Sequence, residues 1–199
     1  MGSGIMSKFD ATGITIVEDK TLWKGWSHLR KMVFDYAKPD GTTQRLSWEV
    51  FDRGHAVAIL LHDPAKKTLL LVRQFRIPAY MMGDKPFLLE VPAGMTDGED
   101  AEKAVTREVE EETGYHIAAP RFLFTAYMSP GAVTEKIHFF YSPIDEAQKL
   151  SLGGGLEAEH EDLELVEVPL KDAISMIERG DIVDGKTIML LQWAALNLA

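Results

Sequence analysis

The sequence predicts an α/β fold in which a mixed β-sheet lies between helices and a small antiparallel β unit precedes it. Three observations support this prediction. Apolar segments of strand length recur along most of the chain. Helical segments are placed among them, one in the middle of the chain and two at its C-terminal end. The N-terminal quarter carries only strand and turn signals, so it forms a separate unit in this interpretation.

The composition limits the class of protein. The chain has 199 residues, of which 46% are hydrophobic and 26% are charged, as in an ordinary globular protein. The net charge of −10 disfavours bulk nucleic-acid binding, but it leaves room for a local basic pocket that takes a small phosphorylated ligand. Cysteine is absent, which excludes disulfides and thiol chemistry and favours a reducing compartment. No signal peptide or long apolar run is visible, so we expect a cytoplasmic protein without a membrane partner.

The N-terminal region is predicted to contain a tag and a β unit. Residues 1–8, in which Met-Gly-Ser-Gly-Ile precedes Met6, are interpreted as an added tag or a disordered segment. Residues 9–53 are predicted to form the β unit, with strands at 14–17, 31–36 and 44–51. Such a unit is thin for an independent core, so we expect it to lean on the main domain or on a second subunit. Its three tryptophans, Trp23, Trp26 and Trp48, are either packing anchors or include one that stacks on a nucleobase.

The main domain is predicted to span residues 54–199. Two continuously apolar segments, 56–61 and 69–72, predict buried strands joined by the turn at 63–67. Loops are expected at 77–85 and 128–135, and a mobile loop is expected where Gly153, Gly154 and Gly155 precede the acidic residues 157–162. The remaining predicted elements are strands at 87–91, 121–127, 136–141 and 163–168, and helices at 170–179 and 187–198.

The central helix is predicted to begin after Asp100, as N-cap, and to end at Gly114. At helical spacing its apolar residues fall within an arc of about 140°, the stripe expected to face a core. Glu108 and Glu112 fall inside the same arc, and Glu111 lies at its edge. A solvated acidic face is the ordinary reading of such a helix, but the position of these glutamates favours burial.

Two carboxylates buried one turn apart require a compensating cation. Because cysteine is absent and no histidines have the spacing of zinc ligands, the ligands would be oxygen atoms, which favours Mg²⁺ or Mn²⁺. The helix phases allow Glu111 to join Glu108 and Glu112 on one ion. Magnesium held in this way usually completes its coordination with substrate phosphates.

One stretch resembles a known family motif. Gly94, Glu99 and residues 107–115, Arg-Glu-Val-Glu-Glu-Glu-Thr-Gly-Tyr, resemble the Nudix box, G-x5-E-x7-R-E-U-x-E-E-x-G-U, where U is apolar. The spacing from Gly94 to Glu99 is one residue shorter than in this pattern, which affects only the loop before the helix. On these residues the chain is identified as a member of the Nudix hydrolase superfamily. The resemblance implies an α/β/α sandwich with a mixed sheet.

Beyond the box the chain resembles the branch that contains GDP-mannose hydrolases and ADP-ribose pyrophosphatases. Segments 127–131 and 184–187 favour the first, which implies hydrolysis of GDP-mannose to GMP and mannose 1-phosphate. Segments 53–56 and 191–193 are similar to the ADP-ribose pyrophosphatases, enzymes that hydrolyse ADP-ribose to AMP and ribose 5-phosphate. The GDP-mannose enzymes carry a basic pair where this chain has Ser47 and Trp48. A nucleotide-sugar-binding regulator without catalysis is the alternative from another class, although such a protein would be expected to lose box carboxylates.

The same resemblance implies roles for individual residues. Metal ligands would be Glu108, Glu112, Glu161 and the Ala93 carbonyl. Glu159 is the candidate general base, with a merely solvated carboxylate as the alternative, while Glu111 would assist and Arg107 would orient the glutamates. Arg76 and Lys186 would contact the substrate. The alternatives are that Arg76 forms a surface salt bridge and that Lys186 is a solvated lysine in a loop. The other implied substrate contacts are Trp26, Trp48, Glu49, Gly94, Met95 and Glu135. A homodimer that exchanges its N-terminal β units is also implied, with no nucleic-acid partner.

Overall fold

The computed structural model describes residues 7–10, 12–156 and 162–198. By its internal contacts the chain forms two compact units. The first contains the chain up to Gly54 together with the segment Ser129–Glu135, and the second contains His55–Met128 and the chain from Lys136 onward.

The first unit is an antiparallel three-stranded sheet with the order β1-β2-β3. Its strands are β1 (Gly13–Lys24), β2 (His28–Ala37) and β3 (Thr43–Asp52). All three predicted strands are confirmed, and each is longer than predicted; in β1 and β2 a cross-strand pair of charged residues lies in the added part. Arg30 on β2, for example, donates from Nε to the carboxylate of Asp19 on β1 at 2.9 Å, and both residues lie outside the predicted ranges.

A remote segment completes the first unit. The amide of Phe51 donates to the carbonyl of Ala132 at 2.8 Å, and the amide of Thr134 donates to the carbonyl of Phe51 at 3.0 Å. The hydroxyl of Thr134 also donates to the carboxylate of Asp52 at 2.9 Å. The segment Ser129–Glu135 therefore lies along β3, far from it in sequence.

The second unit is built on a seven-stranded mixed sheet with the order β10-β5-β4-β9-β8, in which β6 pairs with β5 and β7 pairs with β4. Only the β4–β9 pair is parallel among the pairs of this sheet in the described residues. Its strands are β4 (Ala56–Asp63), β5 (Thr68–Phe75), β6 (Phe87–Glu90), β7 (Ala93–Met95), β8 (Arg121–Tyr127), β9 (Lys136–Pro143) and β10 (Glu164–Pro169).

Helices cover both faces of this sheet. Alternate residues of β4 show the arrangement, because Val57 and Ile59 pack in one cluster with residues of the central helix, whereas Ala58 and Leu60 pack with residues of the C-terminal helices. The predicted α/β sandwich is thus confirmed. No helix in the described ranges is long and apolar enough to cross a membrane. The helices are α1 (Ile77–Met81), α2 (Ala101–Thr113), α3 (Leu170–Glu178) and α4 (Gly185–Asn197).

The bounds of several elements in this unit differ from the prediction, and two of the differences have a clear physical reason. The expected loop at 77–85 begins with the one-turn helix α1, where Pro78 is tolerated because a first-turn residue needs no amide hydrogen. Helix α4 begins at Gly185 rather than at residue 187, because the Asp184 carboxylate accepts a hydrogen bond from the Thr187 amide at 2.9 Å and caps the helix there.

Candidate active site

Helix α2 begins and ends where the sequence predicts. Asp100 is its N-cap and accepts a hydrogen bond from the Glu102 amide at 3.0 Å. Gly114 follows its last turn with φ of 75°, a left-handed conformation that favours glycine. Both ends of the helix are therefore fixed by local interactions.

The last carbonyls of α2 are capped by a distant glycine segment. The amide of Gly154 donates to the carbonyl of Glu112 at 2.8 Å, and the amide of Gly155 donates to the carbonyl of Glu111 at 3.1 Å. A Cβ atom at Gly153 would lie 2.5 Å from the carbonyl carbon of Thr113. These glycines, predicted to open a mobile loop, are thus packed directly on the end of the helix, where carbonyl groups lack partners within the helix itself.

Two glutamates share the buried face of α2 with its apolar residues. Ala104, Val105 and Val109 are fully buried, while Glu108 is 8% exposed and Glu112 is 1% exposed. The predicted burial of these carboxylates is therefore confirmed. Such positions require compensation of the negative charge.

The main chain of β7 lies against both carboxylates. The Ala93 amide donates to Oε2 of Glu112 at 3.1 Å. A Cβ atom at Gly94 would come within 3.0 Å of the carboxyl carbon and both oxygens of Glu108, closer than real Cβ atoms approach other atoms. A side chain at this position would therefore displace the Glu108 carboxylate, which occupies the space of a Cβ atom.

Arg107 links the carboxylates of the helix to the strand. Its Nη1 lies 2.9 Å from both Glu108 Oε1 and Glu111 Oε2, and its Nη2 donates to the Met95 carbonyl at 3.1 Å. Its Nε donates to Glu99 at 3.3 Å. Burial lowers the pKa of Arg107, but the surrounding carboxylates outweigh it and raise this pKa above its ordinary value. Arg107 is thus a permanent cation that fixes these carboxylates.

The donor set of this site fits a hard divalent ion. Glu108 and Glu112 offer buried carboxylate oxygens, and the main chain of β7 lies against both of them. No three Asp, Glu, His or Cys side chains among the described residues form a group that could hold a metal ion. The possible convergence of Glu111 with Glu108 and Glu112 on one ion is therefore not found, because Arg107 holds Glu111. Further ligands must come from elsewhere.

A second charged cluster lies at the end of β6. Arg76 donates from Nε and Nη2 to the two carboxylate oxygens of Glu90, both at 2.8 Å. Lys186 donates to the same carboxylate and lies 3.1 Å from Asp184. Burial would raise the pKa of Glu90, but these two cations outweigh it and lower the pKa below its ordinary value.

Comparison with known proteins identifies the family. The family description "NUDIX domain" matches residues 52–191. The chain belongs to the NUDIX family. The description "GDP-mannose pyrophosphatase NudK N-terminal domain" matches residues 13–51. NUDIX hydrolases generally use divalent metal ions.

Curated relatives of the NUDIX chain cover nearly its whole length. The GDP-mannose pyrophosphatase of Pectobacterium atrosepticum is 47% identical over 92% of this chain and 95% of its own. That of Escherichia coli O1:K1 is 41% identical over 92% of this chain and 96% of its own. That of Citrobacter koseri is 41% identical over 90% of this chain and 94% of its own.

Seven of the predicted site residues lie on helix α2, which is the NUDIX helix of this chain, and on strand β7. They are Ala93, Gly94, Met95, Arg107, Glu108, Glu111 and Glu112. Arg76 and Lys186 meet at Glu90: Arg76 does form a salt bridge, but its partner is a buried carboxylate, and Lys186 is largely buried and not a solvated loop lysine. Glu159 and Glu161 lie outside the described residues.

Four predicted substrate contacts belong to the first unit. Trp26 is exposed and lies under the guanidinium of Arg53, whose Nε is 3.3 Å from the carboxylate of Glu135. Trp48 packs edge-on against Phe34 and, with Glu49, lines an open cavity of about 710 Å³ in this unit. None of the three tryptophans of this unit is buried in the described structure.

Sequence reasoning missed Glu90. Its signal was a single acidic residue at the end of an otherwise apolar strand, which is unusual in a buried position. It also missed the buried hydroxyl of Thr187, which accepts a hydrogen bond from the Val91 amide at 2.8 Å and donates one to Asp184 at 2.6 Å.

Proposed function

We propose that this chain hydrolyses the pyrophosphate bond of GDP-mannose, giving GMP and mannose 1-phosphate. The observation that carries the proposal is the pair of buried carboxylates, Glu108 and Glu112, held on one NUDIX helix against the main chain of β7. The relatives named GDP-mannose pyrophosphatase, at 41% to 47% identity, favour this substrate over ADP-ribose. The match of the N-terminal region to the NudK domain supports the same choice.

The metal in this proposal is Mg²⁺, for which Mn²⁺ could substitute. Glu108, Glu112, the Ala93 carbonyl and Glu161 would hold it. When bound, such an ion neutralises charge on the diphosphate and lowers the pKa of a bound water. Its oxygen ligands agree with the preference of hard cations.

The chain's own residues would hold the ligands in place and move the proton. Arg107 positions the Glu108 and Glu111 carboxylates through its fork of hydrogen-bond donors. Glu159 is proposed as the general base that takes a proton from the attacking water, with Glu111 in an assisting role. The buried contact between Gly94 and Glu108 keeps water out of one side of this carboxylate.

Substrate contacts are proposed from both units. Arg76 and Lys186 offer cationic donors for phosphate oxygens, and Gly94 and Met95 offer main-chain groups. In the first unit, Trp26 and Trp48 offer exposed aromatic faces for a base, while Glu49 and Glu135 offer acceptors for hydroxyl or base hydrogen atoms.

The assembly in this proposal is a homodimer that exchanges its N-terminal units, located in the cytoplasm. Support comes from the first unit, where Ile14, Ile16 and Trp23 each expose more than half of their surface. Apolar side chains in this number on one small sheet are typical of an interface. The absence of cysteine agrees with a reducing compartment.

The test is a substrate panel with Mg²⁺. GDP-mannose and ADP-ribose are each incubated with the protein and a phosphatase that acts only on the monophosphate products, and kcat/KM is measured from phosphate release. We expect GDP-mannose to be preferred and Glu112→Gln to be inactive. Preference for ADP-ribose would refute the substrate assignment. Tight binding of a nucleotide sugar without turnover would refute the enzyme assignment and favour a regulator.

A further inference from the structure

The carboxylate of Glu90 is buried at the end of β6. Only 1% of the residue is exposed, directly after the buried Leu89 of the same strand. Burying a carboxylate is unfavourable unless opposite charges and hydrogen bonds compensate it, and a well-packed apolar residue is often at least as stable. Stability alone therefore gives no reason for an acid at this position.

The partners of Glu90 come from two distant parts of the chain. Arg76 precedes α1 and presents its guanidinium edge to both carboxylate oxygens at 2.8 Å. Lys186 lies in the first turn of α4 and donates to Oε2 of the same carboxylate. One buried acid thus holds together two cations that are 110 positions apart by their residue numbers. A bidentate arrangement also fixes the plane of the guanidinium.

These two cations keep unused donors. A guanidinium has five N–H groups and an ammonium has three. Glu90 accepts two from Arg76, while Glu90 and Asp184 account for two of Lys186. Within the described ranges no other hydrogen bond to these two side chains is present, so three N–H groups of Arg76 and one of Lys186 remain for another acceptor. The Arg76 side chain is 38% exposed, so a ligand can reach it.

The cluster lies beside the carboxylates of α2. From Glu90 the chain continues to Val91, whose amide is bound by Thr187, and to Ala93, whose amide is bound by Glu112. Burial lowers the pKa of Arg76, but Glu90, Asp184 and Glu112 together raise it above its ordinary value, which places the guanidinium in the field of Glu112. The unused donors are therefore close to the proposed metal site.

We propose that Glu90 is a positioning residue that holds Arg76 and Lys186 as one pair of donors for the phosphate oxygens of the nucleoside diphosphate sugar. This inference rests on the proposed function. Glu90 itself does not touch the substrate. It fixes the guanidinium plane and brings the ammonium group next to it, so that little side-chain freedom is lost when the diphosphate binds.

The first test compares Glu90→Gln and Glu90→Asp with a matched control. Glu164→Gln removes an exposed ion pair of the same sheet, in which Arg73 on β5 donates to Glu164 on β10 at 2.8 Å. With GDP-mannose and Mg²⁺, we expect Glu90→Gln to raise KM about tenfold or more and to change kcat less than about threefold, as for lost ground-state contacts. Glu90→Asp keeps the charge but is too short to hold both cations, so its KM is expected to rise as well. Glu164→Gln is expected to match the wild type.

Repeating the Glu90→Gln substitution in a variant that lacks both cations distinguishes a positioning role from a purely structural one. In the double variant Arg76→Ala, Lys186→Ala the proposed partners are absent, so adding Glu90→Gln is expected to leave KM unchanged. A further tenfold rise in that background would overturn the proposal. So would a fall in kcat with unchanged KM in the single variant. Thermal unfolding verifies that each variant is folded, and Glu90→Asp decides the matter if Glu90→Gln does not fold.

Binding of inorganic diphosphate distinguishes failure of this inference from failure of the proposed function. Calorimetry in EDTA measures its affinity for the wild type and for Glu90→Gln, and we expect about a tenfold loss in the variant. Equal affinities, or no binding to the wild type, would overturn the inference whatever substrate is hydrolysed. A wild type that hydrolyses no nucleotide sugar but loses diphosphate affinity on Glu90→Gln would refute the proposed function and support the positioning role.

Discussion

Replacing Gly94 by alanine would place a methyl group in the space that the Glu108 carboxylate occupies. All three atoms of the carboxyl group would lie within 3.0 Å of the new Cβ atom. The obstructing atoms belong to the far end of a flexible side chain and not to the main chain, so the glutamate can move aside at little cost to folding. The substitution is therefore expected to displace one proposed metal ligand while the fold survives.

The size of the displacement sets the expected loss of activity. Carbon atoms prefer separations of about 3.5 to 4.0 Å, so the carboxyl group must withdraw by about 1 Å or more. A misplacement of about 1 Å at a reacting centre can reduce the rate by about 100-fold. We expect kcat/KM for GDP-mannose to fall by about that factor, with a higher Mg²⁺ concentration needed for half-maximal rate.

The assay measures phosphatase-coupled turnover across a Mg²⁺ titration, together with the melting temperature. Gly13→Ala is the control, because its Cβ would meet only Ala37, at the ordinary distance of 4.0 Å. Turnover of Gly94→Ala within about threefold of the wild type would refute the reasoning, as would loss of the fold. The double variant Gly94→Ala, Glu108→Asp provides a further check. Because the shorter acid leaves room for the methyl group, the double variant is expected to be no less active than Glu108→Asp alone.

Four further predictions follow from other parts of the molecule. Glu112→Gln keeps the hydrogen bond from Ala93 possible and is expected to lower kcat by several orders of magnitude without unfolding, whereas Glu110→Gln on the outer face retains activity; equal turnover of the two variants would contradict the metal assignment. Gly153→Ala is expected to be less stable in urea unfolding than Gly180→Ala, since both glycines have positive φ but only the first has main-chain atoms of α2 within 2.5 to 2.7 Å of the new Cβ. Arg76 and Lys186 lower the pKa of Glu90 in the folded protein, so the ionised Glu90 stabilises the fold above the ordinary glutamate pKa of about 4.3, and this stabilisation is lost as the pH falls through the pKa of the folded state. The difference in unfolding free energy between the wild type and Glu90→Gln should therefore shrink in acid. A constant difference from pH 7 to about pH 3 would exclude this effect. Light scattering is expected to give the mass of a dimer at micromolar concentration, and a mass near 22.2 kDa would count against the exchange of N-terminal units.

The sequence predicted those elements that are determined by their own residues, through helical periodicity and capping residues. The angular position of Glu108 and Glu112 predicted their burial, and the caps Asp100 and Gly114 predicted both ends of α2. Strand β7 was not predicted because Ala93 and Gly94 have little strand preference, and the strand exists through its hydrogen bonds to β4. Such pairing depends on tertiary structure that periodicity does not contain.

The charged contacts of the site show the same limit. Arg76 and Lys186 could be nominated one by one, but their meeting at Glu90 depends on how β6 and α4 pack together. The same holds for Glu111, whose helical phase allowed a role as metal ligand, while its contact with Arg107 depends on side-chain geometry. Sequence reasoning thus predicts which residues carry the chemistry better than it predicts their partners.

Because Ser129–Glu135 belongs to the first unit, a chimera of two related chains cannot be made with a single junction. Exchanging N-terminal regions between relatives would test whether the first unit determines substrate preference, and a junction near Gly54 would look sufficient from the order of the chain. Such a hybrid would combine β3 of one relative with the segment 129–135 of the other. Phe51 and Asp52 on β3 must match Ala132 and Thr134 in register and hydrogen bonding. A hybrid with an intact first unit therefore needs two exchanged segments, one at the N-terminus and one between β8 and β9, because this unit is built from two separate blocks of the sequence.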